Sequence, residues 1–268
     1  MEWFEAIILG LVQGLTEFLP VSSSGHLEIG KVLLGVEATD DLMFTTMVHA
    51  ATVLSTIVVF RKQILDLFKG LFKFKYNDQT DYVFKIALSC VPIMIVGLFF
   101  KEDVEALFGS IKVVGFALLL TSALLFFSDL ASGRQKEVNA ATESRNGISY
   151  WQAFVVGLGQ ALAVIPGLSR SGTTISTGLI CGVRRDVMAQ FSFLMVLIPI
   201  LGESFLELLG GEFSASSVGA LPLALGFLSA FISGLFACKV MIALVRKAKL
   251  SWFAVYCLIA AAAIFIFA

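Results

Sequence analysis

The chain has 268 residues and a formal net charge of −1, and 58% of its residues are hydrophobic while only 15% are charged. Its mean hydropathy is +0.92, whereas a soluble domain contains about 45 to 50% apolar residues. This composition excludes an ordinary soluble domain and indicates an integral membrane protein. The basic residues lie in short loops rather than along one extended face, which argues against nucleic acid as a partner.

The start of the chain is acidic and lacks the basic segment and cleavage site of a signal peptide, so we expect no removable leader. Four cysteines lie scattered through apolar sequence without the spacing of a metal site, and we interpret them as small buried hydrophobic residues: Cys90, Cys181, Cys238 and Cys257. Because the loops are short, we predict a single integral membrane domain over residues 1–268.

Six stretches are apolar and long enough to cross a bilayer, which takes roughly 20 residues. In chain order they are 43–60, 83–100, 111–128, 187–208, 217–237 and 251–268. Two further pairs of apolar segments are interrupted or too short to span. They are 3–19 with 25–34, and 150–165 with 173–183. Each pair is joined by a turn that contains proline, which predicts a re-entrant helix–turn–helix.

The basic residues predict the orientation of these segments. They concentrate in loops 61–82 and 129–149, after the second re-entrant pair and before the last span. Because cytoplasmic loops carry an excess of Lys and Arg, we place all four regions in the cytoplasm. The basic-poor stretches 37–41, 101–105 and the one around Glu212 then lie outside.

On this orientation the two halves of the chain, residues 1–128 and 150–268, have the same organisation. Each contains one re-entrant pair and three spans, and because three is an odd number the halves are inverted relative to one another. We therefore predict an all-α polytopic membrane protein with six transmembrane helices and two re-entrant helix–turn–helix pairs in an inverted-topology repeat. Such repeats bring their interrupted helices together near the bilayer midplane.

The two re-entrant pairs also share a sequence pattern. When the chain is shifted so that Gly10 falls on Gly157, six further positions carry identical residues: Leu11, Gln13, Leu15, Ser22, Ser24 and Gly25. Ionisable groups and helix breakers at membrane depth are costly unless they face protein or water. One polar cluster in each half therefore predicts one functional site built from both.

Both clusters contain the groups that bind phosphate. The first has three serines beside a glycine, and the second has two serines and a glycine around Arg170, followed by two threonines. Backbone amides at a helix start cradle anions, and a guanidinium suits phosphate. The predicted phosphate-binding residues are Ser22, Ser24, Gly25, Ser169, Ser171, Gly172, Thr173 and Thr174.

Glu17 and His26 supply further chemistry. Gln13 and Glu17 are four residues apart and share a helix face. A carboxylate repels a diphosphate unless a divalent cation lies between them, so these two residues predict a Mg²⁺ or Ca²⁺ site. We expect His26, three residues after Ser23, to take the proton of that serine or to protonate a leaving oxygen. Together with Arg170, these side chains predict phosphoryl transfer.

The same residues also have structural interpretations. Ser22, Ser24 and Ser171 can serve close helix packing in a membrane, and Gln13 and Gln160 can hold helices together by hydrogen bonds. We interpret His49 as an interhelical hydrogen-bond donor. Three further charged side chains are expected to reach for the membrane interface: Lys31, Glu203 and Glu207.

Segments 13–26 (QGLTEFLPVSSSGH) and 166–175 (PGLSRSGTTI) resemble the two signature motifs of the undecaprenyl-diphosphate phosphatase family of the bacitracin-resistance type. Their order and separation match over essentially the whole chain. The resemblance implies hydrolysis of undecaprenyl diphosphate to undecaprenyl phosphate and inorganic phosphate, which recycles the lipid carrier for cell-wall polymer synthesis. It further implies a bacterial inner membrane, a site on the periplasmic side, a divalent cation and a homodimer.

Carried over by the resemblance, the catalytic positions of the family fall on Glu17, Ser23, His26 and Arg170. Supporting positions fall on Ser22, Ser169 and Thr174. The acidic motif of the family is often Glu-x-x-x-Glu, whereas position 13 is glutamine here. Because an amide offers only a neutral oxygen, we expect a weaker metal site or one that depends on Glu17 alone.

A transporter or lipid flippase is the main alternative, since inverted repeats with re-entrant helices are typical of transporters and a fold does not fix a function. Transport needs binding but no nucleophile beside a base, so the serines next to Arg170 and His26 favour the enzyme. A structural scaffold leaves the buried charges unexplained. The sequence does not decide between a phosphoserine intermediate and direct attack by water.

Overall fold

The computed structural model describes residues 1–36, 41–107, 110–134, 145–202, 218–247 and 249–267, and these ranges contain helices and turns without a strand. We number the α-helices in chain order: α1 (Trp3–Thr16), α2 (Ser23–Leu34), α3 (Asp41–Val59), α4 (Arg61–Leu71), α5 (Asp78–Phe99), α6 (Lys101–Glu105), α7 (Ile111–Arg134), α8 (Tyr150–Leu162), α9 (Arg170–Ile180), α10 (Arg185–Met195), α11 (Ala220–Lys247) and α12 (Ser251–Phe267). The predicted all-α fold is confirmed.

Apolar helices are present in the described part of each of the six predicted spans. Among the described residues, four helical segments are long and apolar enough to cross a membrane: Asp78–Phe99, Ile111–Ala131, Arg185–Gly202 and Ala220–Val245. A fifth is formed by Met43–Val59 with Arg61–Leu71, which are bent by 74° at their junction, and Ser251–Phe267 is apolar but has only 17 residues. The polytopic membrane character is therefore confirmed.

Some sequence-based expectations concern residues outside the described ranges. Glu203, Glu207 and Glu212 are among them, as is most of the predicted external stretch 37–41. The interpretation of Lys31 is wrong: its side chain is buried, and its Nζ lies 2.9 Å from Oε1 of Glu28.

The region predicted as loop 61–82 contains α4. Apolar residues at Leu65, Phe68 and Leu71 alternate with lysines at helical spacing, which produces an amphipathic helix. The bend after α3 lays this helix across the end of the span instead of continuing it. Asn77 then starts α5 because its side chain accepts a hydrogen bond from the backbone N of Thr80 at 2.9 Å.

Both predicted helix–turn–helix pairs are present. α1 has 14 residues and α8 has 13, so each is about 20 Å long and shorter than the roughly 30 Å apolar core of a bilayer. The turn after α1 contains Pro20, and the turn after α8 contains Pro166. Each turn therefore lies within the depth of the membrane if the helix before it starts at the surface.

The first helix of each half packs against a long helix of the other half: α1 against α11, and α8 against α5. Glycines permit both approaches, because a Cβ at Gly10 would lie 2.4 Å from the carbonyl oxygen of Gly226, and one at Gly157 would lie 2.4 Å from that of Ser89. The largest apolar cluster contains residues of both halves, among them Phe18 and Phe193. Because α1 and α8 each pack against the other half of the chain, the two polar turns come together. The inversion of the halves stays a prediction.

Candidate active site

The two motif turns bind each other directly. Ser24 Oγ accepts a hydrogen bond from the backbone N of Gly167 at 3.3 Å, and Ser171 Oγ donates one to the carbonyl of Leu19 at 3.1 Å. A Cβ on Gly172 would lie 3.2 Å from Cβ of Pro20, so the turns are also in close contact. The structure therefore brings the two predicted clusters together, and their function as one site stays a prediction.

The serine at the start of each second helix is an N-cap. Ser22 Oγ accepts from the backbone N of Gly25 at 3.2 Å, and Ser169 Oγ accepts from that of Gly172 at 3.1 Å. Both serines are almost completely buried. These hydroxyls thus stabilise α2 and α9, and the backbone amides of Gly25 and Gly172 already have a partner in this structure.

Ser23 and Glu17 form the shortest hydrogen bond of the site. Ser23 Oγ donates to Oε2 of Glu17 at 2.5 Å, and the same oxygen accepts from Nε2 of Gln13 at 2.9 Å. The turn after α1 brings Ser23 back over the end of that helix, six residues after the carboxylate. A hydroxyl whose proton points at a carboxylate is a nucleophile with its base in place.

His26 lies beside this pair but is oriented by other groups. Its Nδ1 is 2.7 Å from the carbonyl oxygen of Ser22, and its Nε2 is 2.7 Å from the hydroxyl of Tyr256 on α12. The structure does not pair His26 with Ser23, because both ring nitrogens are engaged elsewhere and the Ser23 hydroxyl donates to Glu17. The alternative role of His26, protonation of a leaving oxygen, stays a prediction. The partner of Nδ1 is the carbonyl of Ser22, which lies one helical turn before His26.

Arg170 supplies the positive charge. Its guanidinium forms no hydrogen bond or ion pair with the residues that the structure describes, and its charge acts on Glu17 across the site. Glu17, Arg170 and Ser171 line a cavity of about 20 Å³ together with residues of α3 and α10. A partly buried guanidinium without a partner is costly, so Arg170 is the group of this site with the greatest capacity to bind an anion.

The threonines after Arg170 face neighbouring helices. Thr174 Oγ1 is 2.7 Å from Oγ of Ser192, a cavity-lining residue of α10, and donates to the carbonyl of Arg170 at 2.8 Å. Thr173 is buried, and its hydroxyl has no partner among the described residues. Thr174 therefore supports the cavity wall, and contact of either threonine with phosphate stays a prediction.

The residues predicted to hold a divalent cation fit such an ion chemically. Gln13 Oε1 is buried and accepts no hydrogen bond within the described ranges, so it is an orphaned acceptor one helical turn from the Glu17 carboxylate. Mg²⁺ binds few protein oxygens and takes water and substrate phosphates as its other ligands. The described residues contain no group of three or more His, Cys, Asp or Glu side chains that could hold a metal ion. Phosphate oxygens would therefore have to complete the coordination shell of the cation.

Sequence reasoning missed two aromatic residues of the site. His49 on α3 was interpreted as an interhelical hydrogen-bond donor. Its Nε2 lies 3.8 Å from Oε2 of Glu17, and its Nδ1 is 2.8 Å from the carbonyl oxygen of Thr45. An ionisable ring at membrane depth was the available signal. Tyr256 had no local signal, because it lies among apolar residues of the last helix.

Known proteins match this chain over nearly its full length, including both motif turns. The family model described as Bacitracin resistance protein BacA matches residues 6–263. The chain belongs to the BacA family. The resemblance noted from the two motifs is thereby confirmed, and Glu17, Ser23, His26 and Arg170 all fall within the part that the BacA model matches.

Three curated relatives illustrate the range of similarity to this BacA family member, and each is named undecaprenyl-diphosphatase. The protein of Bacteroides fragilis is 56% identical over 263 residues, which cover 97% of this chain and 96% of the relative. That of Christiangramia forsetii is 51% identical over 271 residues, covering 100% and 99%. That of Korarchaeum cryptofilum is 36% identical over 273 residues, covering 98% of each.

Proposed function

We propose that this protein is an undecaprenyl-diphosphatase, which hydrolyses undecaprenyl diphosphate to undecaprenyl phosphate and inorganic phosphate and so recycles the lipid carrier for cell-wall polymer synthesis. The observation that carries the proposal is the 2.5 Å hydrogen bond from Ser23 to Glu17 in a site shared with Arg170. Relatives at 51% and 56% identity bear the same activity in their names. Bacitracin resistance, the property in the family description, follows if the enzyme removes the diphosphate form of the carrier.

The chemistry begins with Ser23. Its Oγ attacks the terminal phosphorus while its proton passes to Glu17, and the bond from that phosphorus to the bridging oxygen breaks. The electron pair leaves with the bridging oxygen, so undecaprenyl phosphate departs as an anion. Water then hydrolyses the phosphoserine to inorganic phosphate and restores the hydroxyl. The short contact between Ser23 and Glu17 favours this route over direct attack by water, because the serine is already hydrogen-bonded to its base.

Charge neutralisation falls to Arg170. The guanidinium is free to pair with the phosphate oxygens, where negative charge accumulates in the transition state. A divalent cation held by Glu17 and Gln13 would add Lewis-acid stabilisation of the same charge when bound. We infer that Arg170 orients the terminal phosphate so that its phosphorus faces Ser23.

Binding of the substrate requires the site to widen. A cavity of about 20 Å³ holds about one water molecule, which is much smaller than a diphosphate group. Its walls are residues of α3 and α10, among them Thr52 and Phe193. We therefore propose that these two helices separate to admit the phosphates, while the prenyl chain stays among lipid.

The location and assembly belong to the proposal as well. The basic segments 61–82 and 129–149 support a cytoplasmic location for the helix ends that flank them. On the resemblance to the family, we propose that the site opens to the periplasmic side of the inner membrane. We propose a homodimer on the resemblance to the family alone.

The test measures phosphate release from undecaprenyl diphosphate by the purified protein in detergent, with and without chelator. We expect cation-dependent release that Ser23→Ala and Arg170→Ala each reduce by about 100-fold or more. Ser89→Ala is the matched control, because it removes a hydroxyl that is bonded to the carbonyl of Ile86 within α5 and does not line the cavity. A wild-type protein that binds the lipid but releases no phosphate with any cation would support a lipid transporter instead.

A further inference from the structure

A tyrosine from the last helix contacts the site histidine. The Tyr256 hydroxyl is 2.7 Å from Nε2 of His26, and the two rings are stacked with their centroids 5.6 Å apart and their planes at 14°. The two residues are separated by 230 positions in the chain. The contact therefore depends on the packing of α12 against α7 and is not a local feature.

The partners of His26 determine which ring nitrogen carries its proton. A backbone carbonyl can only accept a hydrogen bond, so Nδ1, at 2.7 Å from the carbonyl of Ser22, bears the hydrogen of the neutral ring. Nε2 is then the acceptor, and the Tyr256 hydroxyl is its donor. Two hydrogen bonds and one stacked face fix the tautomer and the orientation of the imidazole together.

Tyr256 is not needed to hold α12 in place. Its side chain is 47% exposed, whereas the core tyrosine Tyr82 is 7% exposed. α12 is already tied to the bundle because Ser122 Oγ donates to the carbonyl of Ala254 at 2.8 Å, and because Cys257 is buried against the carbonyl of Pro20. The contact of the exposed Tyr256 with His26 is therefore better explained by a role in the site than by helix packing.

The surroundings of Tyr256 indicate which side of the site it occupies. Its helical neighbours Trp252, Val255 and Ile259 are exposed apolar residues, as expected for a surface that faces lipid. Ser23 and Glu17 pair with each other, and neither of them is a hydrogen-bond partner of His26. Tyr256 therefore stands at the border between the polar site and the lipid, where the prenyl chain of a bound substrate would have to leave the protein.

We propose that Tyr256 is the positioning residue of His26: its hydroxyl donates to Nε2 of the ring that the Ser22 carbonyl keeps protonated at Nδ1, and so holds this edge of the imidazole toward the lipid side of the bound diphosphate. The proposal rests on the phosphatase function and deepens it, since it assigns His26 to the substrate rather than to Ser23. Tyr256→Phe tests it most cleanly, because this variant keeps the stacked ring and removes only the hydroxyl.

The first measurement needs no substrate. The chain has two histidines, so ¹⁵N spectra of histidine-labelled protein in micelles contain two imidazoles, which a His49→Gln variant assigns. We expect His26 as the tautomer protonated at Nδ1 in both proteins, because the Ser22 carbonyl remains, and we expect the Nε2 resonance of His26 to shift in Tyr256→Phe because it loses its donor. Tyr82→Phe, which removes a hydroxyl far from the site, should leave the spectrum unchanged. A spectrum of His26 that is the same in Tyr256→Phe and in the wild type would overturn the proposal.

The second measurement is kinetic. We expect Tyr256→Phe to lower kcat by about 10- to 100-fold, as for other partners that orient a histidine, with KM changed less than twofold. In His26→Ala the added Tyr256→Phe change should cost nothing further, because residues that act as a unit are not additive. If the wild type is active and Tyr256→Phe matches Tyr82→Phe, the inference fails and the phosphatase function stands. If the wild type is inactive, that function fails, and the Nε2 resonance alone decides whether Tyr256 holds His26.

Discussion

The ammonium of Lys85 lies 2.6 Å from the carboxylate of Asp81, one turn earlier on α5, and both side chains are at most 3% exposed. The second contact of Lys85 Nζ is the carbonyl of Arg145 at 2.7 Å, and Asp81 accepts from the hydroxyls of Tyr76 and Tyr150. This cluster therefore joins the start of α5 to the start of α8. It lies about 20 Å, the length of α8, from the motif turn at the other end of that helix.

We predict that Lys85→Met destabilises the protein without changing its chemistry. It leaves Asp81 buried and without its cation, a change that typically costs about 3 to 5 kcal/mol. Thermal unfolding in detergent should show the loss, while the folded fraction keeps its specific activity. Lys69→Met, at an exposed position of α4, is the control. A Tm equal to that of the wild type would show that the pair contributes no net stability, and recovery in Asp81→Asn with Lys85→Met would confirm the mechanism.

Glu17→Gln should abolish most of the activity and preserve the fold. The amide can still accept the hydrogen bond from Ser23, but it cannot take the proton, and general-base catalysis contributes about 10²- to 10⁴-fold. Phosphate release at saturating substrate measures the loss, and the unfolding temperature checks the fold. Glu28→Gln on α2 changes a carboxylate that pairs with Lys31 instead. Activity of Glu17→Gln within tenfold of that control would remove Glu17 from the role of base.

A phosphoserine intermediate should be detectable on Ser23. Rapid quenching of the enzyme with substrate labelled at the terminal phosphate is expected to give labelled protein, and Ser23→Ala should give none. Peptide mapping then places the label. If the wild type turns over while no label accumulates at any quench time, even under conditions that slow hydrolysis, Ser23 only aligns the attacking water.

The neutral side chain at position 13 should limit cation affinity. Gln13→Glu adds a second carboxylate one turn from Glu17, and because ligand charge raises the affinity for hard cations, we expect the Mg²⁺ concentration for half-maximal activity to fall by roughly tenfold. Gln63→Glu makes the same change at an exposed position of α4. Equal cation dependence of the two variants and the wild type would exclude Gln13 from the metal site.

The sequence predicted those features that depend on local composition. The length of the apolar stretches located the spans. The prolines and the repeated serines located both turns, because Ser22 and Ser169 cap their helices through local hydrogen bonds that do not depend on tertiary packing. The pairing of Ser23 with Glu17 was missed because it depends on how the turn at Pro20 folds back over α1. His49 and Tyr256 reach the site only through packing of α3 and α12, which no short motif encodes.

The reciprocal packing of α1 on α11 and of Tyr256 on His26 has a consequence for biosynthesis. Roughly 200 residues are made between Glu17 and the glycine that receives α1, which takes on the order of 10 to 40 s at the usual pace of a ribosome. Throughout that interval α1 must stay in the bilayer without the helix on which it packs, and His26 Nε2 lacks its contact with Tyr256. The packing of α1 and α2 is therefore complete only after α11 and α12 have been synthesised. Premature termination within α11 or α12 should yield chains that quality-control proteases remove.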